Sequence, residues 1–154
     1  MSVKEFGVGF IYEKAFRDLG SGFDYFTSKS YALNFAPISE YAKNNHDIVS
    51  QIYVLERCSA LFTYVGIKLK REKSKKSEIY FAESSKLANY AVTKYEQHHG
   101  TSTKKSVNKV MDNIEWLVPL YEQDSKEMFI KNGHYFSGII DSDLNFCRAM
   151  ASGL

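Results

Sequence analysis

Proline is nearly absent, with two residues in a chain of 154, so most of the sequence is open to long helices. Arginine is scarce as well: of the twenty basic residues only Arg17, Arg57, Arg71 and Arg148 are not lysine. A chain this poor in Arg and Pro, leaning toward Lys, Phe, Tyr, Ile and Asn, suggests AT-rich coding DNA and a bacterial or phage accessory gene, a mobile-element context. No run of 18 apolar residues exists, which excludes a membrane-spanning helix. The first residues, Met1-Ser2-Val3-Lys4-Glu5, do not lead a basic region into an apolar run, so no signal peptide is read there. The expectation is a cytoplasmic protein with no membrane partner. A formal net charge of +2 is too small to imply a polyanionic partner from bulk charge.

The common site signatures are missing too. There is no Gly-x-x-x-x-Gly-Lys-Ser/Thr loop, no complete Gly-x-Gly-x-x-Gly, no His-Glu-x-x-His and no Cys-x-x-Cys, which argues against nucleotide and zinc enzymes of the familiar kinds. No Arg is followed by His at the spacing of RNA-cleaving helical bundles. Glu96-Gln97-His98-His99 offers one Glu-x-x-His pair, but a carboxylate-bridged di-metal bundle needs a second pair and two more Glu on facing helices. The pair reads instead as a solvated helix end before Gly100. No cofactor, metal or catalytic residue is assigned.

What is present is a helical period almost throughout. Apolar residues recur every three and four positions and sustained alternation is nearly absent, so the fold class is all-α, a single helical domain of five to six helices over residues 1–154. A first helix is expected over about 3–19, with a short strand over 3–12 as its competitor because Phe6, Val8, Phe10 and Tyr12 alternate. A short aromatic helix precedes Pro37, since ten of the 23 aromatics fall between residues 6 and 41. These rings cap a core or line a ligand surface. From Ile38 to about Leu69 the stripe Tyr41, Ile48, Ile52, Leu55, Phe62 and Leu69 reads as one long central helix, about 38–70. Ser77 is a candidate N-cap for the next helix, ending at Gly100. Another runs from Thr103 toward Gly133 and is either kinked or restarted at Pro119. The last carries Tyr135 to Met150, with Gly138 or Ser142 dividing it.

Three features carry functional expectations. Arg57 and Glu56 fall within the apolar half of the central helix, where charge needs water or a partner. Arg57 shares a helical face with His46, Tyr53 and Tyr64, and these four either border a ligand cleft or leave Arg57 in a buried ion pair with an acid near the C-terminus. Residues 68–76 concentrate Lys68, Lys70, Arg71, Lys73, Lys75 and Lys76 against one acid, Glu72, a solvated interhelix turn or a nucleic-acid footprint. With Lys104, Lys105 and Lys109 they suggest a basic end, opposite an acidic side built from residues 112–143. Cys58 and Cys147, 89 positions apart, read as buried reduced thiols, with a disulfide or reactive site as the alternative. The leading function is a non-enzymatic protein that binds itself as a homodimer, or another protein, through its helical surface. Nucleic-acid association and a small-ligand or enzymatic cleft are the alternatives.

Overall fold

The computed structural model describes residues 35–154. The expectations for residues 3–19, including the strand alternative, and for the aromatic segment before position 35 lie outside the described residues. Among those described, every regular element is a helix: α1 (Ile38–Asn44), α2 (Ile48–Arg71), α3 (Ser77–His99), α4 (Thr103–Asn132) and α5 (Ile139–Ser152). The all-α bundle with a long central helix is thus the observed architecture.

The central helix is shorter than the stripe predicts. Its first seven residues form α1 on their own, because the run Asn44-Asn45-His46-Asp47 prefers local side-chain bonds to a continuing helix. The Asn45 side chain donates to the Tyr41 carbonyl at 2.8 Å and closes α1. Asp47 then caps α2, accepting from the Ser50 amide at 3.0 Å and the Ser50 hydroxyl at 2.7 Å. These bonds hold the Asp47 carboxyl below its usual pKa.

From Ile52 to Ile67 nearly every residue of α2 is buried, as a helix apolar almost all round requires. It packs most closely on α3 through small side chains. Ser59 and Ser84 exchange hydroxyl-to-carbonyl bonds at 2.9 and 2.8 Å, and the Thr63 hydroxyl lies 2.8 Å from that of Ser84. Gly66 lets the Phe81 ring lie on the backbone: a Cβ there would sit 2.6 Å from the ring. Around this seam Leu61, Phe62, Leu87, Ala91, Val110, Ile114, Leu117, Ile140 and Leu144 close the core.

α4 is continuous across Pro119, so the proline neither ends nor restarts it. Gly100 and Gly133 close α3 and α4 with φ of 60° and 76°, the left-handed cap that glycine adopts without strain. Ser77 is not a cap. It sits inside the first turn of α3, whose N-cap position is Lys76 without a side-chain bond. Gly138, not Ser142, begins α5. Lysine-rich turn α2–α3 and loop α4–α5 share one end of the bundle, since Lys68 reaches Tyr135 while Gln51 at the start of α2 meets Lys94 late in α3.

The cysteines are not reduced thiols. Cys58 on α2 and Cys147 on α5 form a disulfide across 89 positions with Cα atoms 5.4 Å apart, and neither is exposed. Helix packing turns the two side chains toward each other, which local apolar context does not reveal.

Candidate functional site

Arg57 is the most deeply buried charge of the four residues expected to border a cleft, 2% exposed. Each of its three guanidinium nitrogens donates a hydrogen bond within the protein. One terminal nitrogen donates to Asp143 at 2.6 Å, the other to the Ala36 carbonyl at 2.8 Å, and Nε–H to the Tyr121 hydroxyl at 3.3 Å. Tyr121 in turn donates to the same Asp143 oxygen at 2.7 Å, and the Ile38 amide donates to the other at 2.7 Å. The Phe35 ring covers the guanidinium at 4.3 Å. Burial works against the Arg57 charge, but Tyr121 and Asp143 more than offset it and its pKa lies above the ordinary value. Burial also pushes the Tyr121 hydroxyl well above its normal range. A buried charge with a partner at every nitrogen serves packing and specificity; the ion-pair alternative holds, with Asp143 as the acid.

His46, Tyr53 and Tyr64 are not gathered around a shared opening with Arg57. His46 is exposed before the start of α2, and its carbonyl accepts from the Gln51 side chain at 3.0 Å. Tyr53 is half-buried, edge-on to Tyr41 at 4.9 Å. Tyr64 lies two turns beyond Arg57, 1% exposed, edge-on to Phe136 at 6.5 Å. Its hydroxyl has no hydrogen-bond partner, since neighbouring Ser125 donates to the Tyr135 carbonyl at 2.9 Å; burial pushes its pKa up. Glu56, 3% exposed, also meets α4, about two turns nearer its start than Tyr121, where Asn113 donates to it at 2.9 Å. Burial raises its pKa to about 7 against the pull of Asn113 and Lys109.

The basic run forms a helix end and a turn. Glu72 is the C-cap of α2, and Lys73 follows with φ 57°. The Lys73 amide bonds the Lys70 carbonyl at 3.0 Å and the Ser74 amide the Leu69 carbonyl at 2.9 Å, a Schellman closure with lysine where glycine is customary. Lys70, Arg71, Lys73, Lys75 and Lys76 are exposed. Lys68 is half-buried, its ammonium 4.7 Å above the Tyr135 ring and 5.8 Å above Tyr64; burial lowers its pKa. Lys70, Lys73, Ser74, Lys75, Ser77 and Glu78 line a surface cavity of about 460 Å³.

The basic end expected from the sequence is divided. Because α4 runs alongside α2 in the same direction, Lys104 and Lys105 at its start sit at the opposite end of the bundle from the 68–76 turn, and Lys109 faces Glu56. The acids of α4 are interleaved with cations, Glu122 pairing with Lys126 at 3.4 Å.

Sequence reasoning missed an aromatic corner where α4 ends. Phe129 and Tyr135 stack at 4.1 Å, and Phe129, Ile130, Tyr135 and Phe136 are 43%, 83%, 38% and 38% exposed. The signal was there: Phe129-Ile130 and Tyr135-Phe136 flank Gly133, so one pair ends a helix and the other follows its closing turn, rather than continuing a buried stripe. At the other end of the bundle, Glu96, His98 and His99 finish α3 as a helix end, His99 packing on Tyr95 at 4.3 Å. Among the described residues no cluster of His, Cys, Asp and Glu could hold a metal ion, and no helix is long and apolar enough to cross a membrane. No family model, curated protein or solved structure matches the chain.

Proposed function

We propose that this chain is a non-enzymatic binding protein that pairs with a second copy of itself through the aromatic corner where α4 ends. The observation that carries this reading is the exposure of four large apolar side chains, Phe129, Ile130, Tyr135 and Phe136, on one short stretch of chain. Water-exposed apolar clusters of this kind mark association surfaces. The corner is bordered by exposed Lys126 and Lys131 together with exposed Glu127. Charges of both signs on one patch suit a two-fold pairing, in which each patch meets its own copy. Light scattering on the eluting protein across micromolar concentrations tests this. The expected result is a dimer that Ile130→Glu converts to a helical monomer; a wild-type protein monomeric throughout overturns it.

A second reading, nucleic-acid association through Lys68, Lys70, Arg71, Lys73, Lys75 and Lys76, is favoured by five of these cations being exposed on a single turn. Binding of that kind falls steeply with salt, so a gel shift absent even at low salt excludes it. The Lys- and aromatic-rich composition supports an accessory or mobile-element origin. The Cys58–Cys147 disulfide favours a thiol-oxidising compartment over the cytoplasm expected from the sequence.

A further inference from the structure

The chain has two cysteines, so any reduction and reoxidation within one molecule returns the same bond, Cys58 to Cys147. The two sides of that bond are held unequally. Cys58 belongs to a core that α2, α3 and α4 close among themselves through Leu61, Leu87, Val110, Ile114 and Leu117. Cys147 belongs to α5, whose 14 residues bury Ile140, Asp143, Leu144, Cys147 and Ala151. A helix of that length is marginal in water by itself, so α5 persists by being docked. Its buried apolar anchors, the cysteine aside, are Ile140, Leu144 and Ala151. The Arg57–Asp143 pair adds little net hold, because a buried ion pair gives back in desolvation most of what it gains in attraction. The bond therefore carries much of the docking. When the whole chain unfolds, it closes a loop of 89 positions. When α5 alone lifts away, α4 stays fixed up to Asn132, and the bond restrains only the stretch from there to Cys147. A loop of about 15 residues is worth about a hundredfold in the opening equilibrium. Neither sulfur is exposed, so a reducing thiolate reaches the bond only as α5 lifts.

We infer that this bond is a redox clasp: a dithiol reductant opens it through local release of α5, and the reduced protein keeps α2, α3 and α4 folded while α5 moves between docked and undocked forms. A thiolate of the reductant attacks one of the two sulfurs, the S–S bond breaks, and the leaving sulfur takes a proton. The reductant's second thiol, as its thiolate, then attacks the mixed disulfide and frees the other cysteine, which also takes a proton. Cys58 and Cys147 thereby gain two electrons and two protons, and the reductant becomes a cyclic disulfide. α1 opens with α5, because Asp143, one turn before Cys147, accepts the Ile38 amide. Release uncovers the face of α2 that carries Arg57 and Cys58, so the redox state decides whether that face is covered. The clasp is a different site from the aromatic corner proposed for self-association, and either stands without the other.

Native-state hydrogen exchange of the full chain, oxidised and then reduced with dithiothreitol, reads the clasp amide by amide. On reduction the amides of α5 and α1 should exchange about a hundredfold faster, while residues 59–66 of α2 and 87–92 of α3 keep their protection. Reoxidation should restore the first pattern. Cys58→Ala/Cys147→Ala, which no reductant can alter, should show the fast pattern with and without dithiothreitol and so separates the bond from any other action of the reagent. Circular dichroism of the reduced protein is the second measurement. Loss of most of the helical signal overturns the clasp, because the bond would then hold the whole bundle. Equal exchange of α5 in both states overturns it too, as does acceleration spread evenly over α2, α3 and α4, or a bond that dithiothreitol cannot reduce without denaturant.

Discussion

Glu56 makes the stability of this bundle depend on pH near neutrality, and Glu56→Gln isolates the effect. In the unfolded chain its carboxyl ionises near the ordinary 4.5, whereas burial against α4 raises it to about 7. Below pH 4.5 the group is protonated in both states and adds no penalty. Between the two values the unfolded chain gives up the proton while the folded protein keeps it, so unfolding becomes progressively easier. Above pH 7 both forms are ionised and the folded state carries the whole cost of a buried carboxylate. At about 1.4 kcal/mol per pH unit, that cost has a ceiling of about 3 kcal/mol. Glutamine keeps a carbonyl for the Asn113 amide and has no proton to lose. Urea unfolding of both proteins at pH 4, 5.5, 7 and 8.5 is the assay, because every other titrating group cancels in their difference. Glu56→Gln should match the wild type at the acid end and gain on it with rising pH, reaching about 3 kcal/mol at the alkaline end. A difference that stays flat across this range refutes the argument.

Three other perturbations have defined outcomes. Asp143→Ala leaves the Arg57 charge buried with its main partner gone and should cost about 3–5 kcal/mol in chemical denaturation; a cost below about 1 kcal/mol, typical of an exposed pair, contradicts the burial. Replacing Cys58 and Cys147 with alanine releases a loop of 89 positions and should cost about 4–5 kcal/mol by loop entropy. Free thiols in the native oxidised protein, detected by mass after alkylation, exclude the crosslink. Lys73→Gly should raise the thermal midpoint, with a gain of about 1 kcal/mol from relief of the left-handed backbone; a lower midpoint rejects that account of the turn.

Helical period was the strongest signal in the sequence, and it gave the fold class, the burial of α2 and the glycine closures at Gly100 and Gly133. It misled between Asn44 and Asp47, where the apolar stripe is in phase on both sides of a break made by side-chain bonds. Arg57 was legible as a charge in need of a partner, but naming Asp143 required the packing of α5. The Cys58–Cys147 pairing was illegible for the same reason, since no local pattern reports which helices face each other. The 68–76 turn was read correctly as a turn. Its cavity was not, because lysine at a left-handed closure has no sequence signature. Tyr53, Arg57 and Tyr64 share a helical face, yet a shared face does not fix depth, and the core took Arg57 and Tyr64, while His46 lies before the helix and stayed in water.

Asp143 accepts the backbone amide that opens α1 with one oxygen and receives Arg57 and Tyr121 on the other, while Cys147, one turn later, is bonded to Cys58. Helices at opposite ends of the described chain therefore share a single anchorage. Neither can let go of α2 without exposing the other's support, so α1 and α5 should open as one cooperative unit in native-state hydrogen exchange. The two shortest of the described helices borrow their persistence from each other, and a substitution in either is felt about a hundred positions away.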